Sequence, residues 1–202
     1  MKKLTFQDEE AKKIVEGGYV LALPTETVYG LGVRFDDESA YERLCKAKNR
    51  RPDKAIAVMC SVDFPLEQYF EISEGARRVI DRFLPGPLTC LVKAKETAPY
   101  QTHLGTHIAG IRIPDKKELL DFLSSFPFAL QVTSANMSGE KATPDYEDVL
   151  RIFRNSEEVK GIVKGTCKSG TPTTVVDLTK EKPIVLREGE ITLSEIESVF
   201  YK

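Results

Sequence analysis

The sequence predicts an α/β fold built on a sheet of mixed direction. Short apolar runs alternate with amphipathic stretches along most of the chain, and in places two apolar runs follow one another directly. No internal repeat, low-complexity tract or long linker interrupts them. The 202 residues, 41% hydrophobic and 30% charged, suit a single domain over 1–202, with a core large enough to need no metal or disulfide staple.

The elements follow in order. Gln7–Glu16 predicts a helix, with acids early and lysines later, closed by Gly17-Gly18. Tyr19–Leu23 is an apolar run ended by Pro24, the pattern of a buried strand. The polar loop Thr25-Glu26-Thr27 separates it from a second apolar stretch, Val28–Val33. Asp37–Lys46 places Ala40, Leu44 and Cys45 on one helical face. A basic segment, 46–54, leads to a predicted strand at Ala55–Cys60, and Ser73–Leu84 predicts a helix stopped by Pro85-Gly86-Pro87. Leu88–Val92, Gly110–Ile113 and Phe128–Val132 predict strands, with a helix at Lys116–Leu123. A helix at Tyr146–Phe153 precedes strands near Gly161–Val163, Thr174–Leu178 and Ile184–Leu186, and Leu193–Phe200 closes as a helix. Gly165–Pro172 reads as a surface loop over the sheet.

Composition narrows the function. Lys+Arg 29 against Asp+Glu 31 gives −2, too balanced for a protein held on nucleic acid mainly by bulk charge. Cys45, Cys60, Cys90 and Cys167 are widely spaced, without a metal-ligand pattern, and read as free thiols of a reducing compartment. No signal-like apolar segment and no membrane-length apolar run is present, so the expected setting is the cytoplasm, with no membrane.

Chemistry is expected in six loops at strand ends, where open α/β sheets bind ligands: PTETVYGLG (24–32), KNRRPDK (48–54), PGPLT (85–89), GIRIP (110–114), TSANMSG (133–139) and TPTTVVD (171–177). Lys48, Arg50, Arg51, Lys54, Arg112 and Arg187 bring cations, while Ser134, Asn136, Ser138, Thr171, Thr173 and Thr174 bring hydroxyls and an amide. Cations beside hydroxyls and exposed backbone N–H groups are what a triphosphate requires. Arg112, flanked by Ile111 and Ile113 on a predicted strand, must face solvent, a partner or a ligand. Glu26 reads as an acceptor that orders its loop, with a general base as the other reading. His103 and His107 stand four apart, but Gly105 between them argues against a helix, and no metal site is expected. Without GxxxxGK[ST], GxSxG or GxGxxG, a P-loop, a hydrolase elbow and a Rossmann dinucleotide site are disfavoured.

On these six segments in this order the chain resembles the YrdC-like family, whose main members are L-threonylcarbamoyladenylate synthases. The resemblance runs from Leu21 to Gly189. It implies a twisted mixed sheet with flanking helices around an open cationic cavity, and the conversion of L-threonine, bicarbonate and ATP to threonylcarbamoyl-AMP and pyrophosphate. That product serves N6-threonylcarbamoyladenosine formation at position 37 of tRNA, which makes tRNA and a downstream threonylcarbamoyl-transfer complex implied partners. Carried over by position, Thr27, Arg112 and Thr173 would hold L-threonine, and Lys48, Arg50, Lys54, Ser134, Asn136 and Arg187 would hold ATP. Lys48 and Arg50 would stabilise charge in the reaction, with Mg²⁺ carried in by the nucleotide.

Four positions depart from the family pattern. Arg51 stands where a proline is usual, Met59 where a histidine is common, Thr173 where a serine is usual and Ala142 where a small hydroxyl residue is frequent. The rival readings are a non-synthase paralogue of the YciO group, an RNA-binding module using 46–54, and a carbamoyl-transfer module. The YciO group lacks the KxR and SxN elements that this chain carries at Lys48/Arg50 and Ser134/Asn136.

Overall fold

The computed structural model describes residues 1–53 and 55–202. The chain order is β1 (Lys2–Leu4), α1 (Glu9–Glu16), β2 (Val20–Pro24), β3 (Tyr29–Arg34), α2 (Glu38–Ala47), β4 (Val58–Met59), α3 (Leu66–Tyr69), β5 (Phe70–Glu71) and α4 (Glu74–Phe83). It continues with β6 (Leu88–Ala94), β7 (Ile108–Arg112), α5 (Lys117–Ser124), β8 (Leu130–Ser134), α6 (Tyr146–Phe153), β9 (Val159–Val163), β10 (Thr174–Asp177), β11 (Ile184–Arg187) and α7 (Leu193–Phe200).

The strands form one sheet in the order β1-β9-β2-β3-β8-β4-β7-β6-β10-β11, with β5 added against β6. The pairings β1/β9, β9/β2, β4/β7 and β6/β10 are parallel, and the rest are antiparallel. This is the mixed sheet that the alternation of apolar runs predicts.

Period-2 alternation explains why helices cover both faces. In β2, Leu21 and Leu23 join a core with Ile14 of α1 and Leu119 and Phe122 of α5. Val20 and Ala22 point the other way, into a core with Leu44 of α2 and Phe153 of α6. A third cluster packs α4 and α7 on β6 and β10 through Val79, Ile80, Ile196, Leu88 and Val176. Each such buried side chain contributes about 1.5–3 kcal/mol, so truncating Leu21 to Ala should cost about 2–5 kcal/mol.

Local signals set the boundaries. The Asp37 side chain accepts from the N–H groups of Ser39 and Ala40 and starts α2, while Thr192 and Glu195 form a reciprocal capping box on α7. Gly18 takes φ +70° just after α1, where a side chain would be strained.

Pro24 ends β2 from within, as its last residue, paired with Tyr29 in the last rung of β2/β3. One expectation needs correction. The predicted strand Ala55–Cys60 shortens to Val58–Met59, because neighbouring side chains take the preceding carbonyls. Arg50 Nη2 donates to the Ala55 oxygen at 3.2 Å, and Gln131 Nε2 to the Ile56 oxygen at 3.2 Å. No helix among the described residues is long and apolar enough to cross a membrane.

Candidate active site

A cavity of about 630 Å³ opens where the ends of β2, β7, β8 and β11 and the starts of β3 and β10 converge. Thr27, Arg50, Arg112, Ser134, Thr173 and Arg187 all line it, so six residues that the sequence scatters over 160 positions share one recess. Glu140 is the only carboxylate among the described lining residues, against three arginines. A larger groove of about 880 Å³ shares Thr106 and Ile108 with this cavity. Its lysines and glutamates, such as Glu67, Glu71, Lys93 and Lys180, are exposed and converge on no buried polar group. The smaller cavity is therefore the candidate site.

Arg112 ends β7, its Cα opposite Met59 of β4, and turns toward the β2–β3 loop. Its Nη2 donates to Thr25 Oγ1 at 3.1 Å, Glu26 Oε1 at 2.8 Å and Thr27 Oγ1 at 2.8 Å. Arg112 and Glu26 are 12% and 7% exposed, which makes this a buried ion pair. Thr25 gives its hydroxyl proton to the Val28 carbonyl at 2.8 Å, so across the 2.9 Å contact between the two threonines it is Thr27 that donates. The loop is clamped from outside: the N–H groups of Lys168 and Ser169 donate to the Glu26 oxygen, and that of Gly170 to the Thr27 oxygen. Segment 165–170, expected as a surface loop, thus lies directly on the loop that holds Arg112.

On the opposite strands Arg187 grips Thr173, with Nε donating to the carbonyl oxygen and Nη2 to Oγ1, both at 2.9 Å. Thr173 Oγ1 lies 2.9 Å from Thr89 Oγ1. Arg112 and Arg187 line the same cavity, and burial together with the nearby Arg112 charge lowers the pKa of Arg187.

Lys48 and Asn136 are placed behind the wall rather than on it. Lys48 is 2% exposed, and its Nζ donates to the backbone oxygens of Ser134 and of Asn136, the latter at 2.7 Å. Burial, with Arg50 adding repulsion, pushes its ammonium down to about 8. Asn136 Nδ2 donates to the Met137 and Glu140 oxygens at 2.8 and 2.9 Å and so fixes the turn that carries Ser134. Lys54 lies outside the described residues.

Thr25, Thr89, Thr106 and Glu140 also line the cavity, beyond the site residues that the sequence points to. Thr89 lies in PGPLT, the one of the six segments whose side chains the sequence leaves without a role. Met59 does not line the cavity; it is fully buried in the sheet core beside Val58 and Ile111. His103 and His107 stack with ring centroids 5.4 Å apart, and no group of three or more metal-ligating side chains occurs among the described residues. The four cysteines are free thiols.

The Sua5/YciO/YrdC family, described as "Telomere recombination", matches residues 13–189. The chain belongs to that family. Within it, the Pyrococcus abyssi protein named threonylcarbamoyl-AMP synthase is 34% identical over 190 residues, which are 94% of this chain and 56% of that one. The crystal structure of P. abyssi Sua5 complexed with L-threonine superposes with a TM-score of 0.88 at 32% identity, covering 98% of this chain and 60% of that one. Escherichia coli YciO superposes with a TM-score of 0.84 at 25% identity, over 96% of this chain and 98% of its own. The chain therefore spans a little over half of the P. abyssi family member and nearly the whole of the YciO scaffold. The mixed α/β sheet with flanking helices is the fold of this family.

Proposed function

We propose that this chain makes threonylcarbamoyl-AMP and pyrophosphate from L-threonine, bicarbonate and ATP. The observation that carries the reading is the shared cavity: an arginine framed by threonine hydroxyls at one end, and Arg50, Arg187 and Ser134 on the same walls. The threonine-bound P. abyssi structure and the name of its sequence relative support the same assignment.

In this reading Arg112, Thr27 and Thr173 hold L-threonine, with the guanidinium on its carboxylate. Arg50, Ser134 and Arg187 meet the ATP phosphates. Lys48 and Asn136 hold the Ser134 turn in shape, Lys48 adding positive charge from behind it, and Lys54 follows by its place in the sequence. The threonine nitrogen bonds to the carbon of CO₂ and loses a proton, or to that of bicarbonate as a C–O bond breaks and water leaves, giving an N-carboxylate. One carboxylate oxygen then bonds to the α-phosphorus as the bond to the pyrophosphate oxygen breaks. No covalent intermediate on the protein is needed, so catalysis rests on positioning and on cations facing the charge that builds on the leaving group. Mg²⁺ would arrive on the triphosphate and shield its charge, with Glu140 as the cavity carboxylate available to it.

We further read 1–202 as one domain, acting in the cytoplasm, whose product passes to the complex that modifies adenosine 37 of tRNA. Pyrophosphate release that needs threonine, bicarbonate and ATP together is the expected result. Release without threonine, or none at all, overturns the assignment. The close superposition on YciO favours a second reading, the same scaffold without synthase activity, and the same assay decides between them. Salt-dependent tRNA affinity without turnover would favour an RNA-binding module instead.

A further inference from the structure

Arg112 cannot offer its whole guanidinium to a ligand. Nη2 carries two hydrogens, and three oxygens already lie within 3.1 Å of it. Nε is buried and has no partner. Nη1 makes no hydrogen bond among the described residues, and Arg112 lines the cavity, so Nη1 is the nitrogen left to a bound molecule. Glu26, in contrast, does not line the cavity, and its Oε2 is buried without a partner. A substrate in the cavity therefore meets Arg112 but not Glu26, which sets aside the carboxylate as a general base.

What Glu26 does is oppose a repulsion. Arg187 faces the same cavity, and the Arg112 charge is among the causes that lower its pKa. Two guanidiniums in one recess push each other out of place, or toward any phosphate that enters, unless one is held from behind. Glu26 supplies that hold with a charge-assisted bond at 2.8 Å, out of reach of solvent screening. Its own backbone is pinned by Lys168 and Ser169, so the anchor is itself anchored.

We propose that Glu26 is a positioning residue for amino-acid recognition: it fixes the Arg112 guanidinium through Nη2 so that Nη1 faces the carboxylate of the bound amino acid. The proposal rests on the function proposed above. It differs from a plain loop-ordering role, because the backbone carbonyl of Glu26 ties the loop to the strap whatever side chain follows it.

Glu26→Gln separates the two, since the amide keeps an acceptor and every backbone bond while the charge is lost. L-threonine and ATP binding would be measured separately by calorimetry on wild type, Glu26→Gln and Glu26→Asp, with thermal melting alongside. The expected result is L-threonine binding weakened roughly 10- to 100-fold in Glu26→Gln and less in Glu26→Asp, with ATP affinity within about 2-fold of wild type. In an Arg112→Lys background the same Glu26→Gln change should add less than about 3-fold, because both act through one contact. Equal threonine affinity in wild type and Glu26→Gln overturns the role of Glu26 alone. Parallel loss of threonine and ATP affinity reduces Glu26 to a structural residue and overturns it as well. A wild-type protein that binds no L-threonine overturns this proposal together with the function on which it rests. Should Glu26→Gln fail to fold, Glu26→Asp, which keeps the charge but draws the carboxylate back from Nη2, should still weaken L-threonine binding with ATP affinity within about 2-fold of wild type, and unchanged threonine affinity there overturns the role.

Discussion

Lys48 Nζ lies 2.7 Å from the carbonyl oxygen of Asn136, and the same ammonium also holds the carbonyl of Ser134. A lysine at the end of α2 thereby closes the loop that follows β8, almost ninety residues further along the chain. The cost is electrostatic. Burial and Arg50 bring its pKa from 10.5 down to about 8, so below pH 8 the folded protein carries a charge that its surroundings disfavour. Between pH 8 and 10.5 the unfolded chain still holds the proton that the folded one has released, and stability must rise with pH across that window. The rise attributable to Lys48 is on the order of 3 kcal/mol. Urea midpoints at pH 7 and pH 10 for wild type and Lys48→Met check it: the wild type should gain stability relative to the variant as pH increases. Parallel pH profiles would show that the ammonium is not depressed.

That role was not legible in the sequence, and the reason is physical. KNR shows a lysine beside an arginine, which suits phosphate, but nothing local says that two carbonyls from residues 134 and 136 will meet its Nζ. The same limit hid β1 and β5. Lys2–Leu4 has no pattern of its own and becomes a strand by pairing with 161–163, while Phe70 and Glu71 do so against Ala94 and Lys93. By contrast α6 falls at Tyr146–Phe153 as its pattern predicts, because its apolar face and its Asp145 cap are both local. Arg112 was legible for the same reason: a charge between two buried isoleucines has few places to go. Its partner Glu26 was legible only as an acceptor, since the pairing crosses from β7 to the β2–β3 loop.

The hydroxyl chain Thr89–Thr173–Arg187 makes a second prediction. Thr173→Val removes the acceptor of Arg187 Nη2 and the partner of Thr89 at once, while the Nε bond to the Thr173 carbonyl survives. On the proposed function, Thr173→Val should raise the threonine KM about 10-fold, roughly one lost bond to a charged donor. Thr89→Val should act in the same direction but less. Because both work through one oxygen, the double variant should match Thr173→Val alone. Additive effects in the kinetic cycle would mean that the two hydroxyls act separately.

Arg50 lines the cavity and also donates to the Ala55 carbonyl, so its side chain reaches the wall with one end already braced. If it faces charge developing on the leaving group, Arg50→Ala should slow pyrophosphate release by about 10²–10³, the loss seen when a preorganised donor is removed. Arg50→Lys should recover only part of this, because an ammonium replaces the planar fork with a point charge. Melting temperatures close to wild type would assign the loss to catalysis. Unchanged turnover in Arg50→Ala would take the residue out of the site.

Gly189 follows the strand that delivers Arg187, and the reason it is glycine lies across the gap between neighbouring segments. A Cβ there would sit 2.4 Å from the Thr174 nitrogen and 2.7 Å from both the Pro172 oxygen and the Thr173 carbonyl carbon. All three are backbone atoms, which cannot swing aside as a flexible side chain would. Gly189→Ala must therefore push the 187–189 segment away from 172–174, the contact through which Arg187 holds Thr173. The expected cost is about 1–3 kcal/mol of stability from overpacking. On the proposed function, weaker threonine use should accompany it, as in Thr173→Val. Melting and kinetics on Gly189→Ala, with Gly139→Ala as the comparison, check both halves. A Cβ on Gly139 would meet no atom within 4 Å, but the residue takes φ +90°, so its substitution costs backbone strain without collision. Loss of threonine use in Gly189→Ala and not in Gly139→Ala would tie the effect to the Arg187–Thr173 contact, and equal losses in the two would break that link.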